Sequence, residues 1–297
     1  MNLCLAKEDN MGSGKINNKI SINADNAEYQ IIQSLKKNRT KRSKLNEMFI
    51  EGIECIKKAV ESKIEITRII IRNEDTLSEW GKNTIKKYRG VKIIEMSGIL
   101  FNELSDKQDP SELMITAKIA QNSLDDFNEK NPFIIVFDRP SDYGNLGSVI
   151  RSANAFNADG LLMIGHGVDI YEPKVIRASM GSIFFTKTAA IESMERLTEF
   201  INIQKEKNNM EVIGTDSTGV IGLNEYKIKR PVMIIIGNEA KGMSVKLKEI
   251  CDKIIKIPVE GNVNSLNVSC AASIIMWEAY KNAGSNTDQS INTSPPL

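Results

Sequence analysis

The stretch Asn264–Tyr280, N-S-L-N-V-S-C-A-A-S-I-I-M-W-E-A-Y, passes from small polar residues into a helical apolar stripe. It follows an apolar run ending at Ile257-Pro258 and a loop containing Gly261. The run reads as a strand. Ser265 is the expected N-cap of the helix, because its hydroxyl can accept an orphan backbone N–H of the first turn. A strand, a tight loop and a helix N-terminus together make a place to hold a small polar ligand.

Working back from this stretch, the same alternation recurs. Apolar runs at Phe133–Asp138, Gly160–Ile164, Met210–Thr215, Val232–Ile236 and Lys253–Val259 are predicted strands. Helices are predicted at Asn145–Phe156, Pro173–Ser179, Met194–Lys205, Ser244–Ile250 and Ser265–Lys281. Near-continuous apolar strands separated by helices argue for a parallel sheet covered on both faces. The polar segment Leu124–Pro132 ends in a proline and marks a boundary.

Ahead of that boundary lies a smaller α/β module over residues 26–127, and the larger one spans 128–283. A short helix is predicted over Asn26–Lys37. A second helix, Glu51–Ser62, places Ile53, Ile56 and Val60 on one face. Strands follow at Ile64–Arg72, Val91–Met96 and Leu113–Ala120, with helices at Leu77–Tyr88 and Phe101–Leu104. No nucleophile constellation or glycine-rich loop appears there, which suits a binding or positioning module. Residues 1–25 and 284–297 are polar, without periodicity, and read as disordered tails.

At 297 residues the chain is long for one domain and comfortable for two, and its 41% apolar content is enough for a sizeable core. The net charge of +1 conceals clustering. The run Lys36–Lys44, K-K-N-R-T-K-R-S-K, carries Lys36, Lys37, Arg39, Lys41, Arg42 and Lys44. It is either a solvated linker or a phosphate-contacting patch. Cys4, Cys55, Cys251 and Cys270 are scattered with no C-x-x-C pair, so reduced thiols and a cytoplasmic location are expected. The N-terminal M-N-L-C-L-A-K-E-D-N lacks the apolar core of a signal peptide, and runs such as Phe133–Phe137 are too short to span a bilayer. With His166 as the single histidine, neither a Ser-His-Asp triad nor a His-rich metal site is expected, and His166 reads as a loop residue. There is no P-loop and no G-x-G-x-x-G after a strand.

Three stretches place polar residues at the carboxyl ends of predicted strands, the edge where open α/β sheets bind ligands. The first, D-R-P-S-D-Y-G-N-L-G-S-V-I-R-S-A-N-A-F (Asp138–Phe156), puts Asn145 in the loop or at the helix start and Arg151 in the second turn. The second, I-I-I-G-N-E-A-K-G-M-S (Ile234–Ser244), sets the Glu239 carboxylate after a strand and a glycine, well placed to fix a cationic partner. The third is I-P-V-E-G-N-V-N-S-L-N-V-S (Ile257–Ser269). Taken singly, each also reads as a capped helix or a turn.

In this order the three stretches resemble the signature motifs of the SpoU (TrmH-like) branch of the SPOUT RNA methyltransferases. The segments Y-E-P-K-V-I-R-A-S-M-G-S (Tyr171–Ser182) and K-R-S-K-L-N-E-M-F-I-E-G (Lys41–Gly52) fit the same pattern, the latter at the start of the family's substrate-binding domain. The resemblance covers about residues 26–283. It implies a trefoil-knotted parallel-sheet domain, S-adenosylmethionine bound in the knot, a homodimer with sites near its interface, and methyl transfer to a ribose 2′-hydroxyl of RNA. Large-subunit ribosomal RNA is favoured over transfer RNA, the alternatives being a tRNA ribose methyltransferase or a catalytically silent RNA-binding member. Carried over by residue, Arg151, Asn145, Glu239, Ser265 and Asn267 are the expected catalytic group. Thr215, Gly237, Ile257 and Leu266 are expected at the cofactor, with Gly214 lining the same pocket. The resemblance favours RNA contact for the basic run Lys36–Lys44. No metal is expected.

Overall fold

The computed structural model describes residues 18–88 and 90–284. Residues 1–17 and 285–297, which make up most of the two expected tails, lie outside the described residues.

The N-terminal module is a five-stranded sheet built from β1 (Lys19–Ile22), β2 (Glu47–Ile50), β3 (Ile66–Ile71), β4 (Lys92–Met96) and β5 (Leu113–Lys118), in the order β1-β4-β3-β5-β2. Its β1, β4 and β3 run parallel, while β5 is antiparallel to both β3 and β2. Five helices cover it: α1 (Ala27–Lys37), α2 (Arg39–Leu45), α3 (Ile53–Glu61), α4 (Glu79–Lys87) and α5 (Gly98–Leu104). Helix α1 starts where the Asn26 side chain accepts the Tyr29 N–H. It then buries Tyr29, Ile32 and Leu35 with Leu100, Phe101 and Leu104 of α5 against Phe49, Ile70 and Ile94 of the sheet. Lys19–Ile22 corrects the expectation of a structureless tail to residue 25. The K-I-S-I segment is too short to signal a strand locally, and it is ordered by pairing its whole length with β4.

The C-terminal module is a seven-stranded, wholly parallel sheet. It contains β6 (Phe133–Asp138), β7 (Gly160–Ile164), β8 (Thr188–Ile191), β9 (Glu211–Thr215), β10 (Ile221–Gly222), β11 (Val232–Ile236) and β12 (Lys253–Lys256). The order is β10-β12-β9-β11-β6-β7-β8. Strand β6 shows why its sequence has no polar face. Phe133, Ile135 and Phe137 pack with α6 (Tyr143–Ala155) and α10 (Val268–Gly284), while Ile134 and Val136 pack with α8 (Met194–Asn208) and α9 (Val245–Ile250). Helices thus cover both faces, as a parallel sheet requires.

Helix α10 starts three residues after the expected N-cap. Asn267, not Ser265, receives the first-turn donors: its Oδ1 accepts from Ser269 N at 2.9 Å and Cys270 N at 3.4 Å. Ser265 stands two residues before that cap. It lies in the loop instead, which frees its hydroxyl for the site.

The modules share one apolar cluster. Met48, Ile50, Cys55 and Ile56 join Val175 and Ile176 of α7 (Pro173–Ala178) and continue into the second sheet. Polar locks flank this seam. Glu51 is buried and accepts from Arg177 Nη1 at 3.4 Å, and Asp106 pairs with both Lys36 at 2.7 Å and Arg177 at 2.9 Å. These contacts fix how the small module is presented to the edge where the parallel strands end.

Candidate active site at the carboxyl edge of the parallel sheet

A cleft of about 590 Å³ opens at the carboxyl ends of β9, β11 and β12 and beside the start of α10. That volume falls in the range of small-molecule sites. Thr215, Gly237, Ile257, Ser265 and Leu266 all line it. Ile236, Ile255 and Ile275 make part of the wall apolar, while Asp216, Asn238 and Glu239 make another part polar. Such a lining suits a ligand with one apolar face and one charged end. Gly214 does not line this cleft. A Cβ there would meet Cys251 Sγ and Met243 Cε, each at 2.7 Å, so it belongs to the packing beneath α9.

The three motifs are tied by one chain of hydrogen bonds. The Glu239 carboxylate accepts from Ser141 N at 3.1 Å, Ser141 Oγ at 2.6 Å, Asp142 N at 3.3 Å and Asn145 Nδ2 at 3.5 Å. Asn145 Oδ1 then accepts from Asn267 Nδ2 at 3.0 Å. Asn267 in turn caps α10. The sequence places Glu239 to fix a cationic partner; in the structure its carboxylate instead holds the turn that opens α6. Charge-assisted bonds to N–H and O–H donors are the strong kind, so the joint is stiff.

Beneath this chain, Gly237 is required by space rather than by dihedral angle. An added Cβ would lie 2.5 Å from Met243 N and 2.6 Å from Gly242 C. The loop is folded onto it by the Asn238–Gly242 bridge, with Gly242 at φ +64°. Asp138 is buried and binds Ser244 N at 2.8 Å as well as Arg139 Nε and Nη2, both at 2.8 Å. Asn238 Nδ2 donates to Arg139 O at 2.7 Å. Asp138, Arg139, Asn238 and Ser141 thus support the site, although sequence reasoning assigned them no role. The signal available was an acid–base pair directly after an apolar strand. Asp216, also on the cleft wall, is raised by burial. Bonds from Lys248 and Thr218 outweigh this and hold the carboxyl below its ordinary range.

Arg151 stands apart from the cleft. It lies in the third turn of α6 rather than the second, is exposed, and its side chain makes no hydrogen bond or ion pair among the described residues. The basic run divides. Arg42 is buried, pairing with Asp169 at 2.6 Å and Glu172 at 2.5 Å while donating to Leu35 O and Lys36 O. Lys36 is buried against Asp106. Those two are structural cations, which corrects their assignment to RNA. A free phosphate cannot reach a guanidinium already closed in by two carboxylates. Lys37, Arg39, Lys41 and Lys44 are exposed, and Arg39 also donates to Gly167 O at 2.9 Å.

Burial pushes the Cys55 thiol up to about 11 and the Cys251 thiol up to about 12, so neither is a nucleophile at neutral pH. Among the described residues no group of three or more His, Cys, Asp or Glu could hold a metal ion, and no helix is long and apolar enough to cross a membrane.

Residues 132–277 match the SpoU rRNA Methylase family and residues 26–115 match the SpoU L30e-like domain. Over 263 residues the chain is 32% identical to the 23S rRNA (uridine(2479)-2′-O)-methyltransferase of Streptomyces viridochromogenes, covering 88% of this chain and 91% of that one. The chain belongs to the SpoU family of RNA methyltransferases. The SpoU methyltransferase AviRb of Streptomyces viridochromogenes, solved in complex with the cofactor AdoMet, superposes with a TM-score of 0.81 at 31% identity, covering 86% of this chain and 98% of that one. An rRNA methyltransferase from Sinorhizobium meliloti, 22% identical with a TM-score of 0.77 over 89% of this chain and 98% of its own, shares the fold. This SpoU protein is therefore an S-adenosylmethionine-dependent RNA methyltransferase. Of the five residues expected to form the catalytic group, the hydrogen-bond chain joins Glu239, Asn145 and Asn267.

Proposed function

We propose that this SpoU methyltransferase modifies a ribose 2′-hydroxyl of large-subunit ribosomal RNA, with the carboxyl-edge cleft as its cofactor site. The observation that carries the assignment of the cleft is the hydrogen-bond chain Glu239–Asn145–Asn267, which joins three strand-end loops around it. The 23S rRNA activity of the Streptomyces viridochromogenes relative supports ribosomal over transfer RNA.

Bound S-adenosylmethionine supplies an electrophilic methyl group on a sulfonium. The chain's own residues supply position. Ile257 and Leu266 offer apolar surface to a flat base, and main-chain groups beside Gly237 offer hydrogen bonds to its edge. Ser265 lines the cleft, and Asn267, tied to Asn145, fixes the loop that carries it; these two are assigned to the ribose end of the site. In-line displacement depends on alignment, so stiff loops are themselves catalytic assets. A guanidinium carries five N–H donors and no acceptor, so Arg151 is read as a donor and not as a base. The role assigned to it, from its place in the first signature motif and not from contact with the cleft, is to stabilise the developing alkoxide and grip the neighbouring phosphate, whose oxygen accepts the proton. The knotted threading belongs to the same proposal, since β12 pairs with β9 and α10 leaves from beside the Gly237–Gly242 loop. So does a homodimer. Phe156, Trp277 and Tyr280 meet in tilted ring contacts with centroids 5.8–6.1 Å apart, and Trp277 is still 47% exposed, an aromatic face suited to a second copy.

Two measurements test the reading. Incubated with methyl-labelled cofactor, the chain is expected to label bulk large-subunit rRNA and leave tRNA unlabelled; the reverse pattern would overturn the choice of RNA. Gly237→Ala forces a Cβ against backbone, an overpacking that typically costs about 1–3 kcal/mol. Calorimetric titration is then expected to show weakened S-adenosylmethionine binding, and unchanged affinity would move the cofactor away from this loop.

A further inference from the structure

A second groove, of about 650 Å³, lies between the two modules. It shares Asn238 and Ala240 with the cofactor cleft, so the loop after β11 is a common wall. The groove's other sides come from α2, the turn into α6, and the loop after β7. Its charge is not balanced. The lining carboxylates Asp169 and Glu172 are both taken by Arg42, and Arg139 is taken by Asp138. Lys37, Arg39 and Lys241 have no carboxylate within ion-pair distance among the described residues. The same lining includes Tyr143, 38% exposed, with the exposed Lys174 ammonium 5.8 Å from its ring centroid. The His166 ring is exposed at the same place.

We infer that this groove seats a single-stranded segment of the substrate RNA next to the methylated nucleotide. Lys37, Arg39 and Lys241 take its phosphates and Tyr143 stacks one unpaired base. The inference rests on the reading of the cleft as the methyl-transfer site and adds the path by which RNA reaches it. Unpaired cations along a groove with an aromatic ring in the same lining match what a single strand offers, a chain of phosphates and free base faces. A duplex keeps its bases stacked and presents no face to Tyr143. The shared wall explains the geometry, because a strand held in the groove brings its next ribose to Asn238–Ala240, beside the cofactor cleft. It also gives the buried ion pairs of Arg42 a use, since they hold α2 against the loop after β7 and so keep the two banks of the groove in register.

The test uses the full chain and a short fluorescein-labelled oligouridylate, with an RNA hairpin stem as the paired comparison. The double variant Lys37→Ala/Lys241→Ala is expected to lower the slope of log affinity against log salt by about 1.4, at about 0.7 for each lost phosphate contact. Tyr143→Leu is expected to weaken binding roughly 5- to 150-fold, and Tyr143→Phe to retain it. In methyl transfer to large-subunit rRNA, Tyr143→Leu should raise KM more than it lowers kcat, with S-adenosylmethionine binding unchanged. The control double variant Lys86→Ala/Lys207→Ala, on α4 and α8 outside the groove lining, should leave both slope and KM as they are. The groove is refuted if its variants keep the wild-type slope, if the control falls as far, or if Tyr143→Leu binds the single strand as wild type does. If instead the unaltered chain binds cofactor but labels no RNA, it is the methyl-transfer reading that fails, and the oligouridylate data still judge the groove.

Discussion

Arg151→Ala is expected to lose about 100- to 1000-fold in methyl-transfer rate, the usual cost of removing one positioned donor at a developing oxyanion. Its affinity for S-adenosylmethionine should not change, because Arg151 lies outside the cleft proposed to hold the cofactor. Two features single it out. It is on α6, the helix whose first turn holds Asn145, and Glu239 fixes that turn through Ser141, Asp142 and Asn145. It is also exposed, with no carboxylate to neutralise it among the described residues. A structural arginine would have been paired, as Arg42 is. Single-turnover rates on rRNA, alongside calorimetric cofactor binding, make the check. Wild-type turnover would remove Arg151 from the reaction. Arg151→Lys should recover only part of the rate, since an ammonium lacks the planar fork that can hold a phosphate and an alkoxide together.

Arg42→Ala is expected to destabilise the fold by about 3 kcal/mol or more, the cost of breaking a buried ion pair by removing one partner. The arginine is 2% exposed and joins four acceptors: two carboxylates from the C-terminal module and two main-chain carbonyls of α1. Without it, Asp169 and Glu172 face each other without a counter-charge. At roughly 2 °C or more per kcal/mol, the melting temperature should fall by several degrees. Lys44→Ala, four atoms of exposed side chain in the same basic run, should stay within about 0.5 kcal/mol of wild type. Equal effects from the two would show that the run acts as a uniform surface patch. High salt should not mimic Arg42→Ala, because buried pairs are poorly screened.

Strands β6, β7 and β11 were legible to the residue. Each is an unbroken apolar run, and a strand buried on both faces has no other way to be written. Strands β1, β8 and β10 were not. K-I-S-I, T-A-A-I and the two residues I-G carry little hydrophobic signal and are strands because a neighbour pairs with them. The start of α10 was misplaced for a related reason. Ser265 and Asn267 are both good capping residues, and the choice depends on which one the backbone brings to Ser269 and Cys270. Gly214 shows the same limit at the cleft, since one residue separates the wall from the packing beneath α9.

The sequence by itself determined that this is a two-module α/β chain, and it named the polar residues at the strand ends, because apolar continuity and unusual polar placement are local properties. Only the tertiary structure decided what those residues do to one another. Arg42 meets Asp169 and Glu172 across 127 and 130 residues of chain, and Glu239 meets Asn145 across 94. Whether a cation is spent inside the fold or left for a phosphate is set by which carboxylate arrives beside it. That depends on how strands and helices pack, and no run of adjacent residues records it.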